Sequence, residues 1–195
     1  MSKSVARFIN NTLATIVFVL ACFIAFSPFL PELQLAVSNS ASAVREDQYI
    51  ASDRSSNTQP FPEKNTLIIP AMGVHGIVHE GDTVETMNKG IWHRPHSSDP
   101  TKGGNTVLVA HRYLYTSGPD TFYHLPKVTV GQRIKLYWNK KEYVYEVFET
   151  KVVDPDAVEI EKESPEPVLT LYTCTPLWTS AKRFVVRSKL ISPSI

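Results

Sequence analysis

Ile134-Lys135-Leu136-Tyr137-Trp138-Asn139-Lys140-Lys141-Glu142-Tyr143-Val144-Tyr145-Glu146-Val147-Phe148-Glu149-Thr150 is the stretch that decides the fold. Ile134, Leu136 and Trp138 alternate with Lys135 and Tyr137, the period of a strand with one face on a core. Asn139-Lys140-Lys141 supplies a turn and Tyr143 to Thr150 a returning strand, so a β-hairpin is expected. Downstream, Val168-Leu169-Thr170-Leu171-Tyr172 and Arg183-Phe184-Val185-Val186-Arg187 repeat the strand composition. Upstream, Asn105 to His111 is a β-rich run behind the Gly103-Gly104 turn, Gly76 to His79 precedes Gly81, and Leu67 to Ile69 precedes Pro70. Asp82 to Lys89 reads as one short helix, capped by Asp82 or Thr83 and stopped by Gly90. Short strands punctuated by 14 prolines predict an all-β sandwich or closed barrel with little helix.

The chain carries 20 Lys and Arg against 19 Asp and Glu over 195 residues. That balance offers no basic patch for nucleic acid. One end is different. No charge occurs between Arg7 and Glu32, and Thr12 to Pro31 is almost wholly apolar. A spanning helix needs about 20 such residues. Lys3 and Arg7 precede the run, so the positive-inside bias predicts a cytoplasmic N-terminus and an extracytoplasmic remainder. A cleaved signal, with Ala41-Ser42-Ala43 as its small-x-small site, and a buried core helix are the alternatives. Residues 36–63, rich in Ser, Ala, Asn, Gln and Pro, read as a tether with a helical turn near Val44 to Ile50. The expected organisation is a stub and anchor over residues 1–32, a linker over 33–62 and one β-rich domain over 63–195.

Cys22 lies in the apolar run, where a small hydrophobic residue needs no further role. Cys174 is the single cysteine of the β-rich domain and has no intramolecular partner there. An unpaired thiol outside the cytoplasm is exposed to oxidation, which makes it more suspicious than a lone cytosolic one, with an inert buried thiol as the alternative. It closes a strand and opens into Thr175-Pro176, a placement suited to presenting a nucleophile. Arg183 begins the next strand and could return beside the thiol, favouring thiolate or stabilising an oxyanion; Lys182 and Arg187 are the alternatives. A thiol nucleophile also needs a proton carrier. Among His75, His79, His93, His96, His111 and His124, His111 ends an apolar strand and could project at a barrel rim. Glycines around His75 and His79 argue against a helix that would align them on a metal, and His93 and His96 flank Arg94-Pro95 without a second ligand pair. No metal or cofactor motif is present: no Walker loop, dinucleotide fingerprint, nucleophile-elbow serine or zinc-cysteine pattern.

Thr170-Leu171-Tyr172-Thr173-Cys174 resembles the Thr-Leu-x-Thr-Cys signature of sortases, and Arg183 stands where many members carry an essential arginine. Ala110-His111-Arg112 is similar to the segment holding the sortase histidine, as are Asn88 to His93 and Gly103-Gly104-Asn105 to other sortase sequence. The resemblance runs from about Thr66 to Ile191. It implies a closed eight-stranded β-barrel and a site of Cys174 as nucleophile, His111 as general acid and base, and Arg183 as stabiliser of oxyanion or substrate. Thr173 and Ala110 become candidate substrate-binding residues, with a strand-pairing role for Thr173 as the alternative. The implied partners are surface proteins or pilins bearing a signal similar to Leu-Pro-x-Thr-Gly, and an amine of the cell wall or a pilin. Thr175-Pro176-Leu177-Trp178 looks more like class D or E than the main housekeeping class, and no second apolar run follows near the C-terminus, unlike many pilus-building members. An exported cysteine endopeptidase and a non-catalytic peptide-binding barrel are the competing expectations.

Overall fold

The hairpin that organises the sequence is formed by β5 (Arg133–Trp138) and β6 (Lys141–Val153), with Trp138 paired to Lys141. The turn is shorter than expected: only Asn139 and Lys140 lie in it, both at positive φ (50° and 62°). Two successive left-handed residues give the turn whose twist matches that of the flanking strands. Ile134, Leu136 and Trp138 are buried in the core, while outward-facing Tyr137 is covered by Phe61, the two ring centroids being 6.2 Å apart.

The computed structural model describes residues 3–29, 33, 61–112, 118 and 120–193. The expected tether, with its turn near Val44 to Ile50, lies almost wholly outside the described residues. The other strands are β1 (Thr66–Ile69), β2 (Val74–His79), β3 (Ile91–His93), β4 (Asn105–Val109), β7 (Val168–Thr175) and β8 (Lys182–Pro193). They close into a barrel in the order β1-β2-β3-β4-β7-β8-β6-β5, completed by β1 against β5. Pairing is antiparallel except at β2–β3 and β4–β7. Closure removes the exposed edges that an open sheet would leave unpaired. Leu67, Ile69, Leu108, Leu136, Leu169, Leu171 and Val186 fill the interior, each contributing about 1.5–3 kcal/mol by burial.

Every strand except β3 is marked by residue pattern; Ile91-Trp92-His93 is too short to show a period. The expected helix at Asp82 to Lys89 is a 3₁₀ segment, Val84–Lys89, preceded by extended Thr83 whose side chain does not cap it. Strand β7 runs three residues beyond the Val168–Tyr172 pattern to Thr175, so Cys174 is paired in the strand with one more residue after it. At the other end of the chain, α1 (Lys3–Phe26) contains the segment Arg7–Phe26, with mean hydropathy 2.1 and none of its apolar window buried. That exposure sets aside the core-helix alternative. Among the described residues α1 is the one helix long and apolar enough to cross a membrane.

Candidate active site

Pleating sorts β7 into two faces. Leu169 and Leu171 point to the core, with Thr173 on the same side, while Thr170, Tyr172 and Cys174 point outward. Across the β7–β8 ladder Cys174 is the direct partner of Arg183, so both side chains leave the same face of the sheet. Thr173 is 1 % exposed and its hydroxyl donates to the Ala110 carbonyl at 2.8 Å. That bond ties the end of β7 to the exit of β4, where His111 follows Ala110. The Thr175–Pro176 peptide is cis.

His111, Cys174 and Arg183 line one cavity of about 290 Å3. Val109, Ala110, Tyr172 and Thr173 contribute from the barrel, and Pro155, Ala157, Val158, Ile160 and Glu161 from the β6–β7 connection. His111 Nε2 donates to Asn88 Oδ1 at 3.0 Å, and partial burial pushes the imidazole pKa down. Among the described residues the Arg183 guanidinium is paired with no carboxylate; Nη1 donates to the carbonyls of Ser180 (3.1 Å) and Lys182 (3.0 Å). Both alternatives to it are engaged elsewhere. Arg187 Nη1 pairs with Glu149 at 3.2 Å and its guanidinium lies over Phe148, and Lys182 pairs with Asp154.

The remaining histidines fall away from this cavity. His93 Nε2 lies 3.1 Å from the Ser98 carbonyl and 3.0 Å from Ser97 Oγ, His75 projects outward on β2, and His124 is buried edge-on against Tyr123.

Several residues at the site carry no local sequence signal. Glu161 accepts from Arg94 Nε (2.9 Å) and Nη2 (3.1 Å) and from the Tyr172 hydroxyl (2.6 Å). Arg94 also lies over the Trp92 ring, 4.7 Å from its centroid. Burial first, and then the bond to Glu161, hold the Tyr172 hydroxyl protonated well above the usual tyrosine range. Asn105 Nδ2 donates to the Ile160 and Lys162 carbonyls at 3.0 and 2.9 Å, while its Oδ1 accepts from Thr170 at 2.7 Å. The wall of the cavity is therefore bolted to Arg94 just after β3, to β4 and to β7. Arg94 and Glu161 are 67 residues apart in sequence, so no spacing rule pairs them.

A closed β-barrel with a thiol, an imidazole and a guanidinium on one cavity has the architecture of a cysteine acyl-transfer enzyme. The family model of the sortase domain matches residues 67–191, and the chain belongs to the sortase family, whose members are cysteine transpeptidases. It is 28 % identical over 154 residues to sortase D of Bacillus subtilis (strain 168), covering 73 % of each chain. It is 30 % identical over 143 residues to sortase SrtE2 of Streptomyces coelicolor, covering 64 % of this chain and 54 % of that one. Among solved structures, sortase A of Listeria monocytogenes superposes with a TM-score of 0.61 at 25 % identity, covering 67 % of this chain and 88 % of that one. The eight-stranded barrel implied by resemblance is thus the observed fold, and the sortase D and SrtE2 matches agree with a class D or E likeness.

Proposed function

We propose that this chain is a membrane-anchored transpeptidase. It cuts a sorting signal similar to Leu-Pro-x-Thr-Gly between Thr and Gly and passes the acyl group to an amine of the cell wall or a pilin. The observation that carries this reading is the direct pairing of Cys174 with Arg183 on a cavity that His111 also lines. In the first half-reaction Cys174 Sγ attacks the threonine carbonyl and its proton passes to His111. Arg183 turns from the Ser180 and Lys182 carbonyls to the developing oxyanion, where a positioned cation is most effective. The C–N bond then breaks, His111 protonates the departing glycine amine, and a thioester remains on Cys174. In the second half an incoming amine gives its proton to His111 as it attacks the thioester, and the thiol is regenerated with a new amide. Asn88 holds the imidazole ring, and the Thr173–Ala110 bond shapes the floor beneath the substrate.

In the same reading residues 1–32 form the cytoplasmic stub and span, 33–62 the tether and 63–195 the extracytoplasmic catalytic domain. Lys3 before the apolar segment and Arg7 at its start support that direction. The test is incubation with labelled Leu-x-x-Thr-Gly peptides, with and without a glycine-based amine, products being read by mass. Amide product establishes transfer. Free acid alone, whatever amine is supplied, would replace transfer with hydrolysis. Unchanged peptide, with a folded protein and a reactive thiol, would leave a peptide-binding barrel.

A further inference from the structure

Arg112 follows His111 at the exit of β4, yet its side chain serves the opposite half of the site. Nε donates to the Tyr123 carbonyl at 3.0 Å and Nη1 to Thr175 Oγ1 at 3.3 Å. The guanidinium is half-buried and lies 5.9 Å from the centroid of the Tyr123 ring. Thr175 is the residue after Cys174 on β7, and Phe122 N donates to the His111 carbonyl at 2.9 Å. One side chain therefore links three pieces of backbone: the carrier of the imidazole, the segment returning at Tyr123, and the strand carrying the thiol. Arg183, in contrast, spends Nη1 on carbonyls of its own turn.

We propose that Arg112 is a positioning residue for the Cys174–His111 pair, fixing the end of β4 against the end of β7 and holding its positive charge at Thr175, the residue after Cys174. The planar fork of arginine suits this role, because Nε and Nη1 reach acceptors on two different segments at once; a lysine ammonium supplies charge without that geometry. Electrostatics agree with the placement. Burial pushes the Arg112 pKa down, while attraction to Tyr123 and to the Cys174 sulfur acts the other way, so guanidinium and thiol lie within reach of each other's field. Among the described residues that line the cavity Arg112 is absent, whereas His111 and Cys174 are present, so its expected effect is on the reacting pair.

This inference rests on Cys174 and His111 being the reacting pair, and its test separates the two claims. Full-length chain in detergent is treated with iodoacetamide at pH 7, and modification of Cys174 is followed by peptide mass mapping, which distinguishes it from Cys22. Arg112→Gln is expected to slow alkylation several-fold, because it removes a cation whose field reaches the sulfur, and Arg112→Lys to regain most of it. With a sorting-signal peptide, both variants should lower kcat at nearly unchanged KM, because lysine restores charge but not the two-segment bridge. Thr175→Val, which leaves Arg112 in place and removes one acceptor, should lower kcat while alkylation stays at the parental rate. Alkylation of Arg112→Gln at the parental rate, or a rise in KM without loss of kcat, would overturn the proposal. The alkylation pattern upholds it even where no peptide is turned over, an outcome that would count against transpeptidation alone.

Discussion

Cys174 and Arg183 face one another across β7 and β8, whereas Arg187 is paired with Glu149 two pleats away. Removing the Arg183 guanidinium should therefore cost about 10²–10³ in kcat/KM, the scale of a lost oxyanion donor. Arg187→Ala should stay within a few-fold of the parent in the same peptide assay. The reverse order would reassign the arginine. His111 carries a pH signature of its own. Burial lowers its folded pKa below the ordinary histidine value, so the unfolded chain takes up the proton first. Stability should then fall with falling pH between those two values, reach its full loss below the folded one, and be unaffected by this group above about pH 6.5. Urea midpoints at pH 7 and pH 5 check this: the parent should lose more between them than His111→Gln. The candidate trio was legible because each member has a type and a place, a lone thiol at a strand end and two partners at strand termini. Asn88, Arg94, Arg112 and Glu161 were not, because each acts through contacts that only the closed barrel creates.

At the scale of elements, the β6–β7 connection is a wall held by donated hydrogen bonds. Glu161 takes them from Arg94 and Tyr172, and the Ile160 and Lys162 carbonyls take them from Asn105. The Arg94–Glu161 pair is about a third exposed, so it is worth roughly 1 kcal/mol after solvent screening. Its larger effect is on shape. Glu161→Gln should raise KM for a sorting-signal peptide several-fold with kcat within twofold, in steady-state kinetics, because it loosens the wall without touching the reacting groups. Gly104 tests the same wall from β4. Its φ is +71°, and an added Cβ would meet the Glu163 carboxylate and Ser98 Oγ, which are hydrogen-bonded to each other at 2.8 Å. Gly104→Ala should lower Tm by about 5–10 °C in a thermal melt, from left-handed strain and the displaced Ser98–Glu163 bond. Alternation read the hairpin and the β4, β7 and β8 runs correctly. It failed at Ile91 to His93, which is shorter than any period, and it stopped short on β7 and β8, where pairing continues through polar residues.

For the whole molecule, barrel closure depends on the β1–β5 and β4–β7 pairings, which join distant parts of the chain. No local pattern encodes them; the family likeness supplied that expectation. The closed sheet contains the core and the candidate site, whereas α1 exposes its apolar surface. A fragment of residues 61–195 should therefore fold with a Tm within a few degrees of the full chain's and lose association with lipid vesicles, as measured by melting and flotation. The central claim is that Cys174 becomes acylated by a sorting signal, and peptide mass mapping after incubation without an amine acceptor tests it most directly. The account predicts a thioester of the peptide's threonyl portion on Cys174, reversed by hydroxylamine and absent in Cys174→Ala. Peptide cleavage that persists in Cys174→Ala would contradict it.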